Sequence, residues 1–406
     1  MKEKNLFMEK LYYKDQYIRE FKANIISIQE RDNKIYLELD KTAFFPGGGG
    51  QHCDLGYIDD SKVLDVIEDG EKIYHVVDNK PTHEANVSCV VDWNRRLDGM
   101  QQHLGQHVLS GCFFSLFNKN TAGIHLGNDI STVDIVGEVT EEEVKKAEIR
   151  ANEVIKEAHK VNFVVTNRAE AKKMGLRRQL QTKDNVIRVV EIEGLDINAC
   201  CGVHPSNTLE LQVIKIKSIE KHKGNSRISF LAGNRAVNDY LYRDKILENL
   251  CKTLSAGDIE IEKTINNLNS DLKELKDENN SLKNSLANYQ LKELVSNSEV
   301  VKGIKIIVKE FNNENSRYLS KLINSLVGED NIIVLFANNQ IDKVNLLFGC
   351  SKNLKQINMS DILKDSIQLV DGKGGGSKIL AQGGGKNVLN IQSSLDYAVR
   401  KIKGLL

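Results

Sequence analysis

The sequence predicts a multidomain α+β protein: an N-terminal β-barrel, an α+β domain, a long coiled-coil-like helix and a C-terminal α/β domain. Three observations support this. The first 90 residues alternate strand-like runs with turns, apolar residues recur every seven positions between 258 and 295, and strand-like and helical segments alternate after residue 298. We expect the domains to span residues 1–92, 93–245, 246–298 and 299–406.

Length and composition fit a globular protein with several cores. The chain has 406 residues, of which 40% are hydrophobic and 28% are charged. Lys+Arg and Asp+Glu are both 56, so the formal net charge is zero. This balance argues against a strongly basic nucleic-acid coat. It leaves room for a local basic groove, because steering depends on how charge is distributed.

The sequence also predicts the compartment. The N-terminus lacks the apolar segment of a signal peptide, and no stretch approaches the roughly 18 apolar residues of a membrane span. Seven scattered cysteines do not form the pattern of a disulfide framework. We therefore expect a cytoplasmic protein with free thiols and no membrane partner.

The N-terminal domain is predicted from two strands and the turn between them. Residues Lys34–Leu39 and 84–91 show the period-2 pattern of half-buried strands. Between them, residues 44–51 read Phe-Phe-Pro-Gly-Gly-Gly-Gly-Gln, which indicates a tight turn. Strands and turns without a helical pattern predict a small β-barrel.

The second domain is predicted where the apolar spacing becomes helical, from residue 95 to about 116. Thr140 is the expected N-cap of a charged amphipathic helix over 141–158. Residues 186–190 and 209–214 have the pattern of strands, so the domain is expected to be α+β.

Residues 258–295 show a heptad pattern over about four repeats. Asn279 falls in the apolar seam, where a buried Asn often selects register and partner number. Two alternatives are open: a coiled-coil dimer contact, or a long helix packed on its own domain. The two interleaved sets are Ile261, Leu268, Leu275, Leu282 and Tyr289, and Ile265, Leu272, Asn279 and Leu286.

The C-terminal domain is predicted to be α/β. Residues 303–308 and 331–336 are candidate buried strands on either side of a helical stretch over 315–327. Two glycine-rich runs, 372–377 and 383–385, precede a final helix.

The candidate metal ligands lie in two places about 95 positions apart. His103 and His107 are four residues apart, so a helix presents both imidazoles on one face. Cys200, Cys201 and His204 follow in a tight turn. Three histidines and one cysteine suit Zn²⁺ in tetrahedral geometry, with Cys200 and Cys201 as rival ligands.

This pattern resembles a known family. H-x-x-x-H on a helix, with C-x-x-x-H about a hundred residues later, resembles the editing domain of alanyl- and threonyl-tRNA synthetases, and still more the free-standing AlaX-type proteins. Residues 44–51, with Asp54 and Gly56, look like the family's F-Y-P-x-G-G-G-Q-x-x-D-x-G turn. Residues 125–127 and 131–134 are similar to the segment after the histidine pair.

Later motifs continue the resemblance to the end of the chain. Residues 188–190, and 220–221 with Gly224 and Arg227, look like the family's substrate-facing stretch. Residues 374–385 resemble the glycine-rich end of the C-terminal domain of alanyl-tRNA synthetase. Two departures stand out. Val203 replaces Thr, and Cys201 is an added thiol, in the usual C-x-G-T-H turn. Residues 377–379 are Ser-Lys-Ile where the synthetases often carry Arg-Pro-Asp.

The resemblance implies the long form of AlaX, which keeps the editing and C-terminal domains. The synthetase's aminoacylation domains are expected to be absent, because the motifs account for all 406 residues. The implied activity is trans-editing, the hydrolysis of mischarged tRNA(Ala). Ser-tRNA(Ala) is the chief substrate, Gly-tRNA(Ala) a further one, and Ala-tRNA(Ala) is spared. A homodimer through the 258–295 helix and the C-terminal domain is also expected.

The resemblance assigns roles to individual residues. Zn²⁺ is expected on His103, His107, Cys200 and His204; four protein ligands leave open whether it activates water or only organises the pocket. Substrate discrimination falls to Thr42 and Gln51. The residues expected to bind tRNA are Gly48, Gly49, Gly50, Arg188, Lys221 and Arg227.

Three rival hypotheses belong to other classes. One is a non-catalytic tRNA-binding or scaffold protein with structural zinc. A metallopeptidase is disfavoured because His103 and His107 enclose Leu-Gly-Gln, without the glutamate of H-E-x-x-H. A DHH-type phosphoesterase is disfavoured because the chain has no Asp-His-His motif.

Overall fold

Residues 8–180, 182 and 184–406 are described by a computed structural model. They divide between two units, Met1–Asp258 and Ile259–Leu406. Helices and strands alternate in both units, which confirms a multidomain α+β protein. The finer division at residues 92, 245 and 298 stays a prediction.

The N-terminal part of the first unit is mainly β-structure. Its elements are β1 Glu9–Lys10, α1 Leu11–Lys14, β2 Glu20–Ala23, β3 Ile25–Arg31, β4 Lys34–Leu39, β5 Lys41–Thr42, β6 Gly56–Ile58, β7 Ser61–Asp69, β8 Lys72–Val77 and β9 Val87–Val91. Seven strands form one antiparallel sheet in the order β2-β9-β6-β7-β8-β4-β3, and β1 pairs with β5. Alternating apolar side chains such as Leu37, Leu39 and Val63 form the core.

This sheet corrects the prediction of a closed β-barrel. The edge strands β2 and β3 are consecutive in the chain, and no ladder joins them among the described residues. At the corner between them, Asn24 is held by the Asp40 carboxylate, which accepts its backbone N–H at 2.8 Å and its amide at 2.9 Å. The chain thereby changes from pairing with β9 to pairing with β4. Alternation indicates strands, but closure depends on strand tilt and stagger.

The rest of the first unit packs two sheets around a long helix. Its elements are α2 Trp93–Phe117, β10 Thr121–Leu126, β11 Ser131–Ile135, α3 Glu141–Lys156, β12 Val161–Asn167, α4 Arg168–Lys173, β13 Val186–Ile192, β14 Asp196–Ala199, a 3₁₀ helix Thr208–Leu211, β15 Ile214–His222, β16 Asn225–Ala232 and α5 Asn234–Leu254. The sheets have the orders β10-β11-β16-β15 and β12-β13-β14. Leu104 and Val108 of α2 share an apolar core with Ile135 and Val154.

Two local predictions have different outcomes. Thr140 caps α3, and a capping box forms with Glu143, whose side chain accepts the Thr140 N–H at 2.8 Å. That prediction is confirmed. The strand predicted over 209–214 is wrong at its start. Asn207 caps a 3₁₀ turn there, Gln212 has a positive φ of 58°, and β15 begins only at residue 214.

A buried ion pair fixes the glycine-rich turn on α2. Arg96 is 1% exposed, and its Nε lies 3.0 and 2.9 Å from the two Asp54 carboxylate oxygens. The guanidinium also donates to the carbonyls of Gln16 and Ala43, while Asp54 accepts the Phe45 N–H at 2.6 Å. Both ends of the turn therefore depend on one arginine.

The second unit is an α/β arrangement on a six-stranded sheet. After a short 3₁₀ helix, Asp258–Glu260, its elements are α6 Ile261–Ser296, β17 Glu299–Val301, β18 Ile304–Asn312, α7 Ser316–Leu326, β19 Ile332–Gln340, β20 Lys343–Cys350, α8 Met359–Ser366, a 3₁₀ helix Ile367–Val370, β21 Lys373–Gly376, β22 Leu380–Gly385, a 3₁₀ helix Val388–Asn390 and α9 Ile391–Leu405. The strand order is β17-β18-β19-β20-β22-β21. Only the β18–β19 ladder among these is parallel.

The glycine-rich runs of this unit contribute to β21, at one edge of the sheet, and to β22 beside it. Gly374 lies opposite Gly383 where β21 pairs with β22. A Cβ on Gly374 would lie 2.6 Å from the Cα of Gly383, closer than real side chains approach. Glycine is therefore required at this pair by backbone packing.

The heptad helix α6 is mostly exposed. No residue of Ile261–Ser296 is buried, and Leu275 and Leu282 of the predicted seam are 64% and 61% exposed. Near its C-terminal end, Leu291 and Leu294 pack against the core beneath α7. The coiled-coil contact stays a prediction.

Among the described residues, no helix is both long enough and apolar enough to span a membrane.

Replacing Arg96 by methionine is expected to destabilise the chain by about 3–5 kcal/mol, because Asp54 would keep a buried charge without its partner. The urea midpoint of the full chain measures the change. Lys146→Met, which removes an exposed ion pair with Glu142, is the control and should hardly move the midpoint. Equal effects of the two substitutions would contradict this account.

Candidate metal centre

Two elements bring the four candidate ligands together. Helix α2 presents His103 and His107 one turn apart, and the turn after β14 supplies Cys200 and His204. One ligand atom from each lies within 4.8 Å of all the others. The three histidines are at most 4% exposed. These residues could hold a metal ion.

Hydrogen bonds to Nδ1 orient two of the imidazoles. His103 Nδ1 lies 3.1 Å from Gln51 Oε1, and His107 Nδ1 lies 3.0 Å from Asp196 Oδ2. Each acceptor fixes the proton on Nδ1 and leaves Nε2 free as a metal ligand. Asp196 also accepts from Arg177 Nε at 2.6 Å, so this carboxylate is fixed on both sides.

The donor atoms of the cluster have the chemistry to hold a metal cation. His107 Nε2 and His204 Nδ1 are buried without a hydrogen-bond partner among the described residues. Cys200 Sγ lies 3.4 Å from His103 Nε2 and 3.7 Å from His204 Nε2. A buried polar atom without a partner is costly, and a cation bound by His107 Nε2 would remove that cost at this atom.

The electrostatics favour the ligand form of the thiol. Burial alone raises the pKa of Cys200, but His103, His204 and nearby hydrogen bonds lower it well below its usual value. Burial opposes the charge on His107, yet Asp196 and Cys200 raise its pKa to about 9. Burial and the His103 charge lower the pKa of His204 to about 3. A metal ion would bind the deprotonated forms of these ligands, so its binding would release protons.

Only one of the two adjacent thiols belongs to the cluster. Cys200 Sγ is among the atoms that meet within 4.8 Å, whereas Cys201 is exposed. The Cys201 carbonyl accepts from the Tyr13 hydroxyl at 2.6 Å, and its thiol faces Gly48. Adjacent residues of an extended segment point in opposite directions, which separates the two sulfurs.

The glycine-rich turn lies directly against the ligands. Gly49 has a φ of +62°, and a Cβ there would lie 3.0 Å from His103 Cε1. Gly48 is bridged to Gln51, and Gly50 contacts Ile124. Of the residues predicted in this turn, Gly49 and Gln51 therefore contact the ligands, whereas Gly48 faces Cys201.

Two other predicted site residues, Thr42 and Arg188, differ in their relation to the cluster. Thr42 is buried, and its hydroxyl bonds to His75 Nε2 at 2.8 Å rather than to any ligand. Arg188 donates to the carbonyls of Cys200 and Gly202, and so holds the ligand turn.

Lys221 and Arg227 lie on β15 and β16, away from the cluster's cavity. Lys221 is exposed beside Glu138, and Arg227 makes a bidentate pair with Asp134. Neither is among the residues that line the cavity.

A cavity of about 680 Å³ opens on the cluster. Its lining includes the ligands His103, His107 and Cys200, together with described residues of β12, β13 and the segment between α4 and β13. The described lining residues are Lys10, Tyr13, Gly49, Glu68, His103, Gln106, His107, Ile124, Val165, Arg177, Arg178, Gln179, Leu180, Thr182, Asp184, Val186, Ile187, Arg188, Asn198, Ala199, Cys200 and Cys201.

Asp196 and its partners were not predicted from the sequence. Asp196, Asn198 and Cys200 alternate along an extended segment, and Asn198 Nδ2 lies 2.8 Å from both Asp196 oxygens. A period-2 row of polar residues ending at a candidate ligand was the available signal. No spacing rule could have pointed to Arg177, because a turn brings it to the site.

Cys200→Ser is expected to abolish retention of one divalent metal ion per chain, and Cys201→Ser to leave it unchanged. Only the Cys200 sulfur reaches the cluster. Metal analysis after chelation, reloading and dialysis measures the stoichiometry. The reverse pattern, with loss only in Cys201→Ser, would contradict the ligand assignment.

Asp196→Asn is expected to weaken metal binding about 10–100-fold with all four ligands intact, because His107 loses its charged acceptor. Competition with a chelator measures the affinity, and circular dichroism checks the fold. Asp134→Asn, whose carboxylate pairs with Arg227 outside the cluster, is the matched control. Wild-type affinity in Asp196→Asn would rule out this orienting role.

Comparison with known proteins gives two family matches. Residues 187–229 match the threonyl and alanyl tRNA synthetase second additional domain, and residues 303–404 match the DHHA1 domain. The C-Ala domain structure of Aquifex aeolicus alanyl-tRNA synthetase has 27% sequence identity, covers 27% of this chain and 96% of its own, and gives a TM-score of 0.24.

Relatives cover nearly the whole chain. Alanyl-tRNA editing protein AlaX-L of Pyrococcus horikoshii is 29% identical, over 98% of this chain and 99% of its own length. Alanine–tRNA ligases of Thermococcus kodakarensis and Methanobrevibacter smithii are 31% and 28% identical over 97% and 96% of this chain. The chain spans only 43% and 45% of those ligases. The end-to-end match with AlaX-L and the two family matches support an AlaX-type alanyl-tRNA editing protein of the long form.

Proposed function

We propose that the chain is a trans-editing hydrolase that deacylates mischarged tRNA(Ala), chiefly Ser-tRNA(Ala) and also Gly-tRNA(Ala). The buried cluster of three imidazoles and one thiol at the wall of a cavity carries this proposal. The name of the Pyrococcus horikoshii relative, an alanyl-tRNA editing protein, supports tRNA(Ala) editing in general. Hydrolysis of the aminoacyl ester is our proposal for how this editing proceeds.

Zn²⁺ is the cation proposed for His103, His107, Cys200 and His204. Three nitrogens and one thiolate suit its tetrahedral preference. When bound, zinc supplies Lewis-acid chemistry toward the ester carbonyl and the attacking water. The chain's own residues hold the ligands in place: Gln51 orients His103, and Arg188 fixes the ligand turn through two carbonyls.

Discrimination between serine and alanine is assigned to Thr42 and Gln51. Gln51 Oε1 accepts from both His103 and the Val203 N–H, so Gln51 acts through the shape of the ligand site. Thr42 is tied to His75, and burial lowers the pKa of that histidine to about 4. A site with fixed polar groups rejects alanine because those groups lose their partner when the hydroxyl is absent.

The tRNA 3′ end is proposed to enter past the glycine-rich turn. The glycines at 48–50 allow close backbone approach, and Arg188, Lys221 and Arg227 are the proposed tRNA contacts. Lys221 would reach a phosphate by leaving its fully solvated pair with Glu138, whereas Arg227 would have to share its bidentate partner Asp134.

A homodimer through the 258–295 helix and the C-terminal domain completes the proposal. The leucines of the heptad seam are about half or more exposed in the single chain, and a second helix would cover them. We also propose a cytoplasmic location, because charged tRNA is available there.

Wild-type protein is expected to remove serine rapidly from Ser-tRNA(Ala) and to leave Ala-tRNA(Ala) intact. The variant His103→Ala/His107→Ala should lose this deacylation, because two of the four ligands are gone. Release of labelled amino acid from the two tRNAs measures the reaction, with circular dichroism to verify the fold of the variant.

Two outcomes would overturn the proposal. A folded, zinc-loaded wild type that deacylates neither tRNA would favour the scaffold alternative with structural zinc. Equal hydrolysis of both esters would remove the editing role, since correctly charged tRNA(Ala) would be destroyed as well.

A further inference from the structure

Among the residues that the structure describes, four basic side chains line the cavity, and they differ in their partners. Lys10 pairs with Glu68, and Arg177 pairs with Asp196 and also donates to Asn120 and Thr121. Arg188 donates to two carbonyls, and its guanidinium lies 4.7 Å from the ring centres of both Tyr13 and Phe163. These three cations are already engaged within the protein.

Arg178 is the exception. Its side chain makes no hydrogen bond or ion pair with any other residue that the structure describes, although it lines the cavity and is half-buried. Burial, together with the neighbouring Arg177 charge, lowers the pKa of its guanidinium. A half-buried cation without a carboxylate partner is costly, and an anion in the cavity would offset that cost.

The backbone of Arg178 has a fixed position relative to the metal centre. Its N–H donates to Asn198 Oδ1 at 3.2 Å, and Asn198 in turn donates to both oxygens of Asp196. Asp196 accepts from His107. An anion bound by Arg178 would therefore be placed at a defined distance from the ligands.

The same cavity offers an apolar wall. Val165 and Val186 are 69% and 70% exposed and lie on the paired strands β12 and β13. Both line the cavity. The cavity thus combines metal ligands, an unpaired guanidinium and exposed apolar side chains. An aminoacyl nucleotide has the matching parts, namely an ester, a phosphate and a base. Because its carboxyl group is esterified, only its phosphates are anionic.

We propose, resting on the proposed function, that Arg178 binds a phosphate of the tRNA 3′ end and positions the ester at the metal centre. Arg178 thereby acts on the RNA chain rather than on the amino acid. Guanidinium is suited to this role because it donates to phosphate through two parallel N–H groups.

Arg178→Gln removes the charge and keeps the backbone contact to Asn198. With a seryl ester of a short RNA ending in CCA, the KM of the variant is expected to rise about tenfold or more, with kcat little changed. With seryl-adenosine, which has no phosphate, the variant should equal the wild type. Arg178→Lys should restore part of the loss as a point charge.

Two further readouts separate this proposal from the proposed function. Binding of the same RNA without the amino acid should weaken in Arg178→Gln, and its dependence on log salt should become shallower by about 0.7 per lost phosphate contact. Arg150→Gln is the matched control, because it removes an α3 guanidinium that pairs with Glu157. This substitution should change neither the affinity for the RNA nor its salt dependence. These binding measurements do not require hydrolysis.

The possible outcomes distinguish failure of the Arg178 proposal from failure of the proposed function. Wild-type binding and hydrolysis with an unchanged Arg178→Gln would overturn the role of Arg178 alone. An equal loss on seryl-adenosine would also overturn it, because the defect would then lie at the ester. A wild type that binds RNA through Arg178 but hydrolyses neither ester would sink the proposed function and leave the phosphate contact standing.

Discussion

The first unit depends on the burial of a polar helix. Helix α2 is buried along most of its length, yet Arg96, Gln101, Gln102, His103 and His107 all lie on its buried surface. Burying polar groups is tolerated only when each finds a partner. The partners come from separate elements, so the helix fixes the relative positions of the turn, the sheets and the ligand loop.

These contacts act at successive levels of α2. Arg96 binds the Asp54 end of the glycine-rich turn, while Gln102 donates to the Ala232 carbonyl at 2.7 Å and accepts the Ala232 N–H. The next residue, His103, bonds to Gln51, and His107, one turn further along, bonds to Asp196. Because a buried donor without its acceptor is expensive, the ligand geometry is coupled to the fold of the whole unit.

The candidate site keeps its metal-ligand cluster apart from the arginines that line the open cavity. The imidazoles and Cys200 form a compact cluster, and Gly49 leaves no room for a side chain beside His103. Arginines supply positive charge to the open cavity, and some of them are already bound to other residues of the chain. The Asp196 carboxylate lies between His107 of the cluster and the Arg177 guanidinium, so it separates these two groups within one cavity.

Features that depend on neighbouring residues could be predicted from the sequence. The i,i+4 histidines and the cysteine–histidine turn predicted the cluster, and Thr140 predicted a helix start, because each depends on neighbours within a few residues. Similarity to AlaX-type proteins was likewise visible from ordered motifs. Contacts between distant segments were not: whether the N-terminal sheet closes, which of Cys200 and Cys201 faces the ligands, and where Asp196 and Arg178 lie. Strand stagger, side-chain direction and the burial of polar groups decide those questions, and all three arise only when the segments pack together.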